Sequence, residues 1–203
     1  MLKRATKKQT QIAMLKSEKI LRTIRGELKK KGYHFYTDVV GSRRFNTILV
    51  EDGEPYDIDV RLCITTNTKE KSAQVIFDTF YEEFYKLRND NISVVKGTQS
   101  IKCQFYNLKK LIFTIEYVIV REDNIIRLDK NTKKRHWVQL KKKYETIYES
   151  FENLTSAEKE NLIENYVIPL KIINKNKGEP KDSISVFIEG YNNFVKENGL
   201  RKK

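Results

Sequence analysis

Tyr56-Asp57-Ile58-Asp59-Val60-Arg61-Leu62-Cys63-Ile64 alternates apolar and polar side chains from end to end. Such a period of two predicts a strand. Tyr56, Ile58, Val60, Leu62 and Ile64 then share one face, and Asp57, Asp59, Arg61 and Cys63 share the other. Two carboxylates side by side on a strand repel each other unless a cation stands between them. An all-oxygen ligand set of this kind suits magnesium, which is held by a few carboxylates plus substrate phosphates. The same alternation also fits the polar outer face of an edge strand, so the pair needs a third group to point to chemistry.

That third group lies downstream. Leu111 to Val120 reads as an apolar strand with Glu116 in its middle. A buried carboxylate is costly unless something pairs with it. Glu116 either joins Asp57 and Asp59 around a shared metal, or pairs with a cation such as Arg61 or a lysine. Upstream, a strand at Tyr36 to Val40 ends in Gly41-Ser42, and Glu51 to Pro55 is turn chemistry. Glycine allows a tight turn and close backbone approach. A serine hydroxyl beside backbone N–H groups can hold phosphate oxygens.

Around this centre the chain reads as helix, strands, helix, strands, then helices. Ile20, Leu21, Ile24 and Leu28 recur at helical spacing in a first helix over Lys7 to Lys31, closed by Gly32. Glu70 to Arg88 forms a second, with Ile76, Phe77, Phe80 and Phe84 in its apolar stripe. Ser100 to Phe105 is a further strand. From Asn131 onward the pattern is read as helical. Thr155-Ser156-Ala157-Glu158 is a capping-box signature, and Pro169 is expected to kink the helix it opens. A last helix carries Ile184, Phe187, Ile188, Tyr191, Phe194 and Val195, capped by Asp182 or Ser183. The fold class is therefore α+β: a mixed sheet with an N-terminal helix and a C-terminal helical lobe. The expected division is a core over residues 1–125 and a helical lobe over 126–203, acting as one catalytic unit.

The 203 residues carry a formal net charge of +13, with 39% hydrophobic and 33% charged residues. A field of that sign attracts nucleotides, nucleic acid or an anionic surface. A Lys-rich composition from an AT-rich genome would give the same balance. Cys63 and Cys103 are far apart, and His34 and His136 are isolated, so zinc spacing is missing. No apolar run is long enough for a bilayer and no signal-peptide pattern opens the chain, which predicts a cytoplasmic protein without a membrane role.

The combination of Gly41-Ser42, Tyr56-Asp57-Ile58-Asp59-Val60 and Ile115-Glu116-Tyr117 resembles the DNA polymerase β-like nucleotidyltransferase superfamily. Gly41-Ser42-Arg43-Arg44-Phe45-Asn46-Thr47 is most similar to the loop of the branch holding cyclic GMP-AMP synthase, oligoadenylate synthase and the bacterial cyclic-oligonucleotide synthases (CD-NTases). Gly97 to Phe105 resembles the strand before that branch's third carboxylate. Trp137, Pro169 to Ile173 and Asp182 to Glu189 match it more loosely. The resemblance implies that Gly41, Ser42 and Thr47 hold a triphosphate, with Lys171 and Ser183 or Ser185 at its tail. It implies that Asp57, Asp59 and Glu116 are catalytic and bind two magnesium ions, with manganese as a substitute. Two departures stand out: the third carboxylate is Glu116 where the branch usually has Asp, and the chain is short for the branch.

The chemistry so implied is attack of a hydroxyl on the α-phosphate of a nucleoside triphosphate with release of pyrophosphate, Glu116 helping to deprotonate the hydroxyl. Three functions follow. The first is synthesis of a cyclic oligonucleotide messenger from ATP or GTP in antiviral defence. The second is a toxin or RNA-modifying enzyme that adds nucleotides to tRNA or protein. The third is a non-catalytic nucleic-acid-binding module, with RNA or DNA tracked by Lys3, Arg4, Lys7, Lys8, Lys29 to Lys31, Lys133 to Arg135, Lys141 to Lys143 and Arg201 to Lys203. In the first two, RNA or DNA enters as activator or substrate. Base preference, linkage, acceptor and oligomeric state are not encoded in any motif.

Overall fold

A computed structural model describes residues 2–51, 53–140, 145–177 and 181–199. Asp52 of the expected turn and the basic runs Lys141 to Lys143 and Arg201 to Lys203 lie outside the described residues. Contacts divide the chain into a sheet unit, Thr6–Val40 with Gly53–Leu140, and a helical unit, Met1–Ala5 with Gly41–Asp52 and Lys141–Lys203. This division by contacts falls elsewhere than the expected boundary after residue 125. The chain crosses between the units more than once, which no composition change marks.

In the sheet unit, α1 (Lys7–Lys30) opens on a complete capping box: Thr6 accepts from the Gln9 amide, and the Gln9 side chain accepts from the Thr6 amide. The strands are β2 (Phe35–Val40), β4 (Tyr56–Ile64), β5 (Ile92–Lys96), β6 (Ser100–Asn107), β7 (Lys110–Arg121), β8 (Asn124–Leu128) and β9 (Arg135–Gln139). They form one sheet in the order β2-β4-β7-β6-β5, with β8 paired to the end of β7 and β9 to β8. β4 and β7 run parallel; the other pairs are antiparallel. The parallel pair is joined through α3 (Ala73–Tyr85), capped by Ser72, and the β5–β6 hairpin. Leu108 and Lys109 both have positive φ in the two-residue β6–β7 turn, the geometry of a type I′ hairpin. β9 corrects the expectation that the chain turns helical at Asn131.

One face of this sheet is the core. Ile58, Leu62, Ile101, Cys103, Ile115 and Tyr117 are fully buried on it, under α1 and α3. Phe77, Phe80 and Phe84 of α3 are also fully buried, each contributing about 2–3 kcal/mol. Phe84 packs on Tyr117 at 4.7 Å, and the Tyr117 hydroxyl shares a buried 3.0 Å hydrogen bond with Ser17 of α1. Burial pushes the Cys103 thiol up to about 12, so it packs as an inert small side chain.

In the helical unit, β1 (Lys3–Arg4) pairs with β3 (Leu49–Val50), and α2 (Gly41–Arg44) is a single turn. α4 (Glu145–Glu152) precedes α5 (Ser156–Asn161), which has the expected Thr155–Glu158 capping box. A π-helical stretch, Leu162–Val167, then leads without a break into α6 (Ile168–Lys175). Pro169 cannot donate an amide and crowds the preceding turn, and the widened stretch just before it absorbs both problems. α7 (Ser183–Glu197) is capped by Asp182, which accepts from the Ile184 and Ser185 amides. It lies so close to the π stretch that a Cβ on Gly190 would stand 2.9 Å from Val167 and 3.1 Å from the Tyr166 carbonyl.

Candidate active site

The strand register places the acidic residues together. Across the parallel pair, Asp57 faces Thr114 and Asp59 faces Glu116; across the antiparallel pair, Lys102 faces Glu116. Since side chains alternate along each strand, all five lie on the face opposite the core. Asp57 is exposed and Asp59, Glu116 and Lys102 are partly so. Although the residue as a whole is exposed, partial desolvation of its carboxyl raises the proton affinity of Asp57 above the ordinary carboxylate range. The charge of Glu116 adds to that rise, and a Thr114 hydrogen bond and the Lys102 charge oppose it.

Glu116 is engaged on both oxygens. The Lys102 ammonium stands 2.5 Å from Oε1, and the Ser100 hydroxyl donates to Oε2 at 2.7 Å. Of the two alternatives open for Glu116, the structure therefore shows the basic partner, supplied by β6 rather than by Arg61. Among the described residues no three His, Cys, Asp or Glu side chains gather closely enough to hold a metal ion. Glu116 thus reaches the acidic face opposite Asp59 with a basic partner already on it. Asp57 and Asp59 offer the carboxylate oxygens that a hard divalent cation takes.

The serine loop is built in the helical unit. Gly41 has a φ of +62, a left-handed conformation that suits glycine. The loop closes on itself: the Thr47 amide donates to the Ser42 carbonyl at 2.8 Å, and Asn46 takes a positive φ. Phe45 anchors it, stacked on Phe187 at 3.7 Å and on Tyr148 at 4.8 Å, with Phe151 edge-on at 5.1 Å. Lys171 is buried beneath the loop, and its ammonium donates to Ser42 Oγ and to the Thr47 carbonyl, both at 2.7 Å. Lys171 is thus no solvated surface lysine. Ser185 belongs to the α7 cap, donating to Asp182 Oδ2 at 2.6 Å, and Ser183 is exposed in the first turn. The structure brings Gly41, Ser42, Thr47 and Lys171 together in one unit, and Asp57, Asp59 and Glu116 on one face of the other.

Similarity at the level of structure lies with bacterial nucleotide cyclases. The apo form of Vibrio cholerae DncV matches with a TM-score of 0.55 at 13% identity, over 77% of this chain and 44% of that one. The Vibrio cholerae DncV cyclic AMP-GMP synthase in complex with the linear intermediate pppA(3′,5′)pG matches at 0.53 and 13% identity, over 77% and 43%. Escherichia coli DncV bound to 3′-deoxy GTP matches at 0.51 and 16%, over 75% and 44%. The chain carries the nucleotidyltransferase fold. No family model matches it, and no curated protein matches it in sequence. It spans less than half the length of the solved chains it resembles.

On this nucleotidyltransferase fold, the residues that sequence reasoning missed are Lys102, Ser100 and Phe45. Lys102 and Ser100 sit at alternate positions of the strand Ser100 to Phe105, so their common face was legible. Their approach to Glu116 depends on the β6–β7 register, which the turn at Leu108-Lys109 and a one-residue shift between Phe105 and Tyr106 set together and which no glycine marks. Phe45 lies inside the quoted loop but faces the helical core, a role that only packing reveals. Trp137, matched loosely to the branch, lies in β9 with the Arg121 guanidinium 4.3 Å from its ring centre. No helix among the described residues is long and apolar enough to cross a membrane.

Proposed function

We propose that this chain is a nucleotidyltransferase that joins nucleoside triphosphates into an oligonucleotide. One observation carries the reading: Asp57 and Asp59 stand side by side on the open face of β4, in register with Glu116 of β7, on this fold. In the proposed reaction a ribose hydroxyl attacks the α-phosphorus of a nucleoside triphosphate. A new P–O bond forms, the bond from the α-phosphorus to the bridging oxygen breaks, and pyrophosphate leaves with the electron pair. The hydroxyl proton passes to water. Asp57 and Asp59 would hold the divalent cation, magnesium or manganese, whose chemistry is neutralisation of the phosphate charge. Ser42, on a loop preset by Lys171 and Thr47, would donate to a phosphate oxygen.

A cyclic product and a place in antiviral defence are part of this proposal, by analogy with the cyclic AMP-GMP synthase. The net charge of +13 favours a second reading, in which RNA is the acceptor. Incubation with all four ribonucleoside triphosphates and magnesium or manganese, with products identified by mass, separates them. A small nuclease-resistant product supports the first reading, and label in added tRNA or in protein supports the second. Identical product profiles from wild type and Asp57→Asn/Asp59→Asn would remove both.

A further inference from the structure

Two consecutive residues of the serine loop carry donors that no described residue accepts. Ser42 Oγ already accepts from the Lys171 ammonium at 2.7 Å, so its own hydrogen is left to give. Arg43 follows in the same single turn, Gly41–Arg44. Its Nε is buried with no hydrogen-bond partner, and among the described residues no carboxylate pairs with its guanidinium. Burying a donor without an acceptor is costly, so a group in that state calls for a reason. Looseness is not the reason. The Asn46 amide donates to the Arg43 carbonyl at 3.1 Å, and the Thr47 amide to the Ser42 carbonyl at 2.8 Å. The next arginine behaves differently: the Arg44 guanidinium lies 4.4 Å from the centre of the Tyr148 ring, against which Phe45 is stacked. No carboxylate occurs from Gly41 to Thr47, and Lys171 brings a further buried positive charge beneath the loop. The group that accepts from both Ser42 and Arg43 is therefore an anion with several oxygens.

We propose that Arg43 is a triphosphate-binding residue, its guanidinium donating to a phosphate oxygen of the nucleoside triphosphate next to the oxygen that Ser42 takes. The inference rests on the nucleotidyltransferase reading, and it concerns only how the phosphate tail is held. A guanidinium suits the task, because its planar fork of N–H groups matches the spacing of phosphate oxygens and is always charged. The loop pattern in the sequence pointed to Gly41, Ser42 and Thr47; the buried Nε without an acceptor adds Arg43. Arg44, the same residue type one position on, is engaged with the helical core and takes no part.

The test is calorimetric titration of inorganic tripolyphosphate into the full chain, at about 0.15 M salt so that the general field of a +13 chain is screened. Arg43→Met should weaken binding about tenfold to hundredfold, the worth of a hydrogen bond between charged groups. Lys196→Met removes an equal charge from the exposed last turn of α7 and should bind within about threefold of wild type. Without tripolyphosphate, Arg43→Met should melt no lower than wild type, because the substitution removes no hydrogen bond or ion pair within the protein. An Arg43→Met protein that binds like wild type, an equal loss in Lys196→Met, a lower melting temperature of Arg43→Met without the anion, or no binding by wild type would overturn the inference. Product formation by wild type is scored separately by mass: products with an undiminished Arg43→Met titration sink this inference alone, and no products from a wild type that binds tripolyphosphate sink the transferase reading.

Discussion

Replacing Lys171 by Met tests how the serine loop is held. Methionine keeps most of the buried stem and removes the ammonium, which donates to Ser42 Oγ and the Thr47 carbonyl at 2.7 Å each. A hydrogen bond from a charged donor contributes about 1.5–3 kcal/mol. At least these two short ones are lost, and the burial of an apolar terminus in place of a desolvated charge returns part of that. The net loss should be about 2–4 kcal/mol, and a domain of this size loses about 2–4 °C of Tm per kcal/mol. The Lys171→Met protein should therefore melt about 4–16 °C lower. The second readout is local: amide exchange at Thr47, whose N–H donates to the Ser42 carbonyl, should accelerate while exchange in β4 and β7 stays unchanged. A variant that melts like wild type with an equally protected Thr47 amide would refute the idea that Lys171 presets the loop.

Other outcomes follow from the same contacts. Asp57→Asn should raise the Tm at neutral pH. The folded pKa of Asp57 lies above its unfolded value, so the stability it lends is full below the ordinary carboxylate range and is lost as pH rises through the folded pKa. Melts of both proteins across pH should converge in acid; a variant that melts lower at neutral pH would contradict this. Phe45→Ala should cost about 3–5 kcal/mol, read as earlier amide exchange across Phe151, Val167 and Phe187, which share its core. Glu83, buried on α3 with Lys31 at 2.7 Å and Lys86 at 2.8 Å, should lose about 1.5–3 kcal/mol as Glu83→Gln. Although burial works against its charge, the two lysines hold its pKa below the ordinary range. Its contribution is therefore present above the ordinary carboxylate range and is lost as pH falls through the folded pKa.

Much of the fold was legible because its central elements have strong periods. The alternation from Tyr56 to Ile64 matches β4 residue for residue, and α1, α3 and α7 end within a few residues of where their apolar stripes and caps place them. β8 and β9 were missed because Asn124–Leu128 and Arg135–Gln139 are only five residues each, without a clean alternation, and are held by pairing with β7 and with each other. The shared sheet face of Asp57, Asp59 and Glu116 was legible from their strand positions. The state of Glu116 was not, because Lys102 reaches it through an antiparallel register that spacing does not fix. The burial of Lys171 was equally hidden: its neighbours Pro169 and Ile173 are exposed, and the π stretch that positions this helix has no signature in the sequence.

The central claim is that the aspartate pair of β4 serves phosphoryl chemistry. The most direct measurement is pyrophosphate released from nucleoside triphosphates, counted against α-phosphate label incorporated into product, for wild type and for Asp57→Asn/Asp59→Asn. One pyrophosphate for each phosphodiester bond formed in wild type, and at least a hundredfold less of both release and incorporation in the variant, is the result this account predicts. Release that survives the double substitution, or a wild type that releases none while folded, would contradict it.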